Sequence, residues 1–246
     1  MAAKAGSRAA TKREGSGRRT KSALPRQAQK LSPRGEQKRV RILDAAAEVL
    51  AARGFAGTML SEIAEKAGTQ AGSLYYHFAS REDLIEEVLR RGVTLTMAHV
   101  RAVLDALPEG TSARDRLATA IREHVRFQLA VSAYARASAR STGQVPAEMR
   151  GRINREFRRY GAFLDEVIAA AVREGAVDPA VDRSALRMLV IGAANWTPEW
   201  FRPDGASSVD AVADLLVAMM LAGTAPAPAS GSAPARRPLK RKSKGD

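Results

Sequence analysis

From residue 32 to residue 224, apolar positions recur at intervals of three and four and never alternate with period two. The pattern predicts an all-α chain without sheet. Ser32-Pro33 supplies an N-cap and a first-turn proline for an opening helix. Its inner stripe is Val40, Leu43, Ala47 and Leu50, supported by Ile42, Ala46 and Val49, and Gly54 ends it. A short helix follows with Leu60, Ile63, Ala64 and Ala67 on one face, Thr58 placed to cap it, and Gly68 where a left-handed terminal residue is needed. The next stripe, Ala71, Leu74, Tyr75 and Phe78, predicts a second short helix with Gln70, Ser73 and His77 on the other side, flanked by Gly72 and Tyr76.

Longer helices make up the rest. Ser80-Arg81-Glu82-Asp83 is a capping box for a helix reaching about Leu107, where Pro108-Glu109-Gly110 breaks it. Ser112 to Asp115 is another, opening a helix with Leu117, Ile121, Val125 and Leu129 and a continuation to Arg140. Pro146 opens a long helix through Ile153, Phe157, Tyr160, Leu164, Val167 and Ile168 before Gly175. Asp182 or Ser184 begins one through Leu186, Leu189, Val190 and Ala193. Ser207 or Ser208 begins the last, with Val212, Leu215, Leu216, Met219 and Met220. Between Ala211 and Ala222 only Asp214 is charged, so that helix is covered on more than one side, by its own core or by a second subunit.

Charge changes the picture only after it is divided along the chain. The net charge is +14 over 246 residues, but residues 1–31 hold nine cations against Glu14, and residues 225–246 hold six against Asp246. The body between them is nearly neutral, so a basic composition does not by itself make it a DNA-binding body. Both ends are poor in large apolar residues and read as disordered: a basic arm over 1–31 and an Ala-Pro-rich basic tail over 225–246. The arm has two readings, a nonspecific phosphate-binding segment or a solubilising one. The chain has no cysteine, and its longest apolar run, near Leu215 to Ala222, is too short to span a bilayer. The expectation is a cytoplasmic protein with no membrane partner.

Two short helices joined by a tight turn containing Gly, with about 12 Å between Gln70 and His77 at helical rise, match the helix-turn-helix and the width of the DNA major groove. At this point the chain resembles a known family. Gly54-Phe55, Thr58, Ile63-Ala64, Ala67-Gly68, the run Ser73-Leu74-Tyr75-Tyr76-His77-Phe78 and Arg81-Glu82-Asp83-Leu84 are similar to the DNA-binding domain of the tetracycline-repressor (TetR) family.

The resemblance implies a DNA-binding head over 32–80 and a helical regulatory and dimerisation body over 81–224, joined by the helix that starts at Arg81. It implies a homodimer on a palindromic double-stranded operator, released by a small apolar or amphipathic effector. With no Lys or Arg between Gln70 and His77, bases are to be read by neutral groups: Gln70 on adenine, Ser73 on several base edges, and the Thr69 methyl on thymine. Tyr75, Tyr76, His77, Thr58 and Arg81 are assigned to phosphates. Arg34, Lys38, Arg39 and Arg41 cluster on the first helix, and Lys38 is added as a backbone contact. The family often has Lys where this chain has Ala71, which removes one direct contact.

Dimer contacts are expected from Leu186, Leu189, Val190, Ala193, Val212, Leu216 and Met219 in a four-helix bundle. Arg126, Phe127, Tyr134 and Phe157 are the pocket candidates, with Gln128 beside them and Arg122 as a second cation for an anionic ligand end. Asn195 to Gly205 carries both tryptophans, Trp196 and Trp200, and is similar to a segment in TetR regulators of lipid and steroid catabolism that respond to acyl-coenzyme A thioesters. Its tryptophans either line the pocket or pack the dimer bundle. His77, His99 and His124 form no metal-binding spacing, and no phosphate loop or nucleophile elbow is present. No enzyme, metal or cofactor is expected. A ligand-independent DNA-coating protein acting through the basic ends is the alternative.

Overall fold

The computed structural model describes residues 32–226; the arm over 1–31 and nearly all of the tail over 225–246 lie outside them. The described residues are helical throughout, with no strand. Helices α1 (Pro33–Gly57), α2 (Leu60–Lys66) and α3 (Ala71–His77) form a head, and α4 (Arg81–Asp105) leads from it into the body. The body adds α5 (Ala113–Arg126), α6 (Ala133–Ser141), α7 (Ala147–Arg173), α8 (Arg183–Trp200) and α9 (Val209–Gly223). A single π-helical turn, Phe127–Val131, continues α5 before α6 begins. Among the described residues no helix is long and apolar enough to cross a membrane.

The starts follow the sequence signals. Ser32 Oγ accepts from Gly35 N at 3.2 Å, Ser80 Oγ from Asp83 N at 3.0 Å, and Ser112 Oγ from Asp115 N at 3.1 Å. Asp182 and Ser208 cap α8 and α9 in the same way. Each bond satisfies an amide that helix geometry leaves without a partner. Gly68 stands at φ +62° after α2, and the amides of Gly68 and Thr69 donate back to the carbonyls of Glu65 and Ala64. Any side chain there would be strained in the left-handed region.

Four expectations need correction. Thr58 does not cap α2: Met59 holds that position without a side-chain bond, and the buried Thr58 hydroxyl donates to the Gly54 carbonyl at 2.7 Å. Val40 is exposed, because Ile42 and Ala45 join Leu43, Ala46, Ala47, Val49 and Leu50 in covering the head core and turn Val40 outward. Tyr75 and Ala71 are exposed too, so α3 is anchored by Leu74 and Phe78 alone. The Asn195–Trp200 segment is not a connection; α8 runs through it with Pro198 inside.

Three buried clusters hold the chain, of which the third, Val93, Val100, Leu104, Ala120, Tyr160 and Leu164, joins α4 to α5 and α7. The first joins α1, α2, α3 and the start of α4 to α6 and the start of α7, through Ile42, Leu43, Leu50, Ile63, Leu74, Ile85, Leu89, Ala137 and Ile153. The second joins α5 to α8 and α9, through Leu117, Ile121, Val125, Leu186, Val190, Leu216 and Leu221. Helix α6 therefore packs on the head although it belongs to the body. Its side chains also reach α1: the Tyr134 hydroxyl donates to Asp44 at 2.7 Å and Arg140 donates to the Ala51 carbonyl at 3.1 Å.

Candidate nucleic-acid interface and effector cleft

The outward edge of the head is uncharged. Gln70 is exposed at the N-terminus of α3, Tyr75 and Tyr76 are 57% and 68% exposed, and Thr69, Ser73 and His77 are half-buried beside them. Phe78 fixes the far end of α3, with the Arg39 guanidinium 4.9 Å from its ring centroid. Arg39 in turn pairs with Glu87 of α4, which also accepts from Arg91. The ring of His77 meets that of Tyr76 edge-on. Desolvation, then the charges of Lys38 and Arg39, hold His77 below the usual imidazole range, so it is neutral near pH 7.

Two of the assigned phosphate contacts are committed elsewhere. Thr58 is 3% exposed with its hydroxyl engaged, as described. Arg81 Nε donates to the Thr58 carbonyl at 3.0 Å, a terminal nitrogen donates to the Phe55 carbonyl, and the guanidinium lies 4.8 Å from the Phe55 ring centroid. Arg81 therefore clamps the α1–α2 connection to the start of α4, because the free carbonyls there need a donor.

In the body, α6, α7 and α8 enclose a cleft of about 760 Å³. Phe157, Ala162, Met188 and Ile191 give it apolar walls, and Arg150, Arg158 and Arg187 stand along it with Asp165, which pairs with Arg187. Arg150, Asn154 and Arg158 are spaced four apart and line one face of α7, a signal present in the sequence but read there only as part of a helix.

At its inner end the cleft narrows to a polar niche of about 20 Å³. His124 is fully buried there; its Nδ1 lies 2.9 Å from the Tyr160 hydroxyl and its Nε2 lies 2.7 Å from Gln128 Nε2. Gln128 donates to Asn195 Oδ1 at 2.5 Å. Burial pushes the His124 imidazole down to about 4 and raises the Tyr160 hydroxyl. His124 on α5 and Gln128 on the π-helical turn continue the inner stripe of Ile121 and Val125, so polar residues within that stripe were the missed signal.

Of the pocket candidates, Phe157 lines both parts of the cleft and Gln128 the niche. The others stand elsewhere. Arg122 and Arg126 pair with Asp214 and Asp210 at 2.7 Å each and pin α9 to α5. Phe127 stacks on His99 with centroids 4.5 Å apart. Tyr134 turns to Asp44, and Trp196 and Trp200 are exposed on α8.

The expected dimer residues also divide. Leu186, Val190 and Leu216 are buried in the subunit's own core, with Ala193 and Val212 half-buried against it. Leu189 and Met219 face outward, as do Met188, Trp196, Trp200 and Leu215. Both helices are apolar on two sides; the inner side meets α5 and the outer is left free in the single chain.

Residues 42–88 match the model for bacterial regulatory proteins of the tetR family, and residues 110–224 match the tetracyclin repressor-like C-terminal domain. The chain belongs to the TetR family. Among its relatives is the HTH-type transcriptional repressor KstR2 of Rhodococcus jostii, 28% identical over 76% of this chain and 91% of that protein. Another is the fatty acid metabolism regulator protein of Bacillus subtilis, 23% identical over 76% of this chain and 95% of that protein. A crystal structure of AibR in complex with isovaleryl coenzyme A and operator DNA superposes with a TM-score of 0.65, at 25% identity, over 74% of this TetR-family chain and 97% of that one.

Proposed function

We propose that this TetR-family regulator is a dimeric repressor whose head, residues 32–80, holds a two-fold operator until an acyl-coenzyme A thioester or a related lipid metabolite enters the cleft of the body, residues 81–224. The observation that carries this reading is the cleft itself: apolar walls suited to an acyl chain, with Arg158 placed for the phosphates of a coenzyme beside Arg187, which pairs with Asp165, and Arg150, which holds the Gly143 and Val145 carbonyls. The KstR2 and fatty acid regulator relatives, and the bound isovaleryl coenzyme A in AibR, support the ligand class. The operator DNA in AibR supports the role of the head.

Bases are read by Gln70, Ser73 and Thr69, and phosphates by Tyr75, Tyr76, His77 and Lys38. The outer faces of α8 and α9 pair with a second copy, which covers Leu189, Trp196, Leu215 and Met219 and sets the two heads apart at a fixed spacing. Helix α6 connects the two functions, since Ala139 lines the cleft while Tyr134 and Ala137 pack on the head. The DNA-coating alternative draws on the chain ends, which lie outside the described residues, and leaves the cleft without a role.

The test is fluorescence anisotropy on a labelled duplex from the region upstream of the protein's own coding sequence. A series of acyl-coenzyme A thioesters should release the duplex, and Arg158→Glu should raise the concentration required. Retention of the duplex at saturating amounts of every thioester would overturn the ligand class.

A further inference from the structure

The inner niche is built differently from the cleft that leads to it. Six polar side chains converge there, Thr96, His124, Gln128, Ser138, Tyr160 and Asn195, from five helices and the π-helical turn. Most of their atoms satisfy one another, but Gln128 Oε1 and Ser138 Oγ have no partner, and those residues are only 3% and 4% exposed. A buried polar group without a hydrogen bond is costly, so two of them on residues that line one space mark a place where a ligand atom can complete the set. Ser138 and Asn195 also line the larger cleft, so the niche is the cleft's blind end.

The size and charge of the niche restrict that atom. About 20 Å³ suffices for one water-sized group. No Lys or Arg lines it, and its histidine is neutral, so a carboxylate there would be buried without a counter-charge. The Gln128 amide nitrogen is already directed at His124 and Asn195, so its Oε1 can only accept, while the Ser138 hydroxyl can donate or accept.

We infer that the effector carries a neutral hydroxyl at the far end of its apolar part, which donates to Gln128 Oε1 and accepts from the Ser138 hydroxyl. This rests on the reading of the cleft as the effector site, and sharpens it: an unsubstituted saturated chain leaves both groups unsatisfied and is the poorer ligand. The selection acts at the end of the chain opposite the coenzyme.

The experiment compares matched probes on the purified full chain. Isothermal titration calorimetry sets octanoyl-coenzyme A against its ω-hydroxy counterpart, and saturation-transfer NMR sets cyclohexane against cyclohexanol. The oxygenated member should bind more tightly in each pair, by about tenfold for the thioesters, the worth of one or two neutral hydrogen bonds. Gln128→Leu with Ser138→Ala should abolish that preference; operator binding by the variant shows that it has folded. Equal binding within the pairs would overturn the inference and leave the cleft reading intact. If cyclohexanol binds selectively while neither thioester binds, the inference holds and the coenzyme reading falls. Silence from all four probes would overturn both.

Discussion

Gly92 of α4 and Tyr134 of α6 meet with no room between them: a Cβ on Gly92 would stand 2.2 Å from the Tyr134 carbonyl oxygen and 2.6 Å from Ser138 Cβ. The atom in the way is backbone, which cannot rotate aside, so the crossing of the two helices is fixed by the absence of a side chain. Gly92→Ala must push α4 and α6 apart. The expected cost is about 1–3 kcal/mol, the range of an overpacked core, read as a lower urea midpoint together with a changed operator affinity. A variant with unchanged stability would show that the crossing is looser than described.

Gln70 stands free at the leading end of α3, where a bidentate contact to adenine is within its chemistry. Gln70→Ala is expected to lower discrimination between operator and scrambled duplex by about 1–3 kcal/mol for each contacted half-site. Competition anisotropy measures it, and discrimination equal to wild type would remove Gln70 from base reading.

Arg81 tests the distinction between a phosphate contact and a clamp. Because its guanidinium is engaged with the Thr58 and Phe55 carbonyls, Arg81→Ala should reduce stability by about 2 kcal/mol, the scale of charge-assisted hydrogen bonds. The slope of log affinity against log salt should stay the same, since no phosphate contact is lost. A shallower slope without a fall in melting temperature would return Arg81 to the DNA surface.

His124 gives the stability curve a recognisable acid limb. Its folded value, about 4, lies below the ordinary 6.5, so the unfolded chain binds the extra proton first. The contribution is complete above pH 6.5 and is lost as pH falls towards 4, at roughly 1 kcal/mol per pH unit. Urea unfolding across that window should show the slope, and His124→Gln should flatten it. A wild-type curve already flat between those limits would contradict the buried neutral imidazole.

The outer faces of α8 and α9 are expected to vanish into a second subunit. Leu189→Arg with Met219→Arg should give a monomer by analytical ultracentrifugation and weaken binding to a two-fold operator far more than to a half-site. A dimer that persists would place the interface elsewhere.

The head was legible in the sequence because its signals are local. Ser32, Ser80 and Gly68 act within a few residues of themselves, and the Ile63-Ala64 and Leu74-Phe78 spacings report the inner faces directly. What escaped depends on partners distant along the chain. Thr58 is the local exception: it has the chemistry of a cap, but its hydroxyl goes to the Gly54 carbonyl four residues back. Arg122 and Arg126 looked suited to an anionic ligand until α9 brought Asp214 and Asp210 to them. The niche joins His124 and Gln128 to Tyr160 and Asn195, residues on three separate helices and a π-helical turn, and periodicity along one segment cannot report such a meeting.

The position of α6 carries a thermodynamic obligation. Ser138 and Ala139 of α6 border the cleft while Ala133, Tyr134 and Ala137 of the same helix support the head, so under the proposed function the two bindings are coupled through it. Whatever factor the metabolite removes from DNA affinity, DNA must remove from metabolite affinity. Cells with many genomic sites would therefore need more metabolite to trigger the response than cells with few.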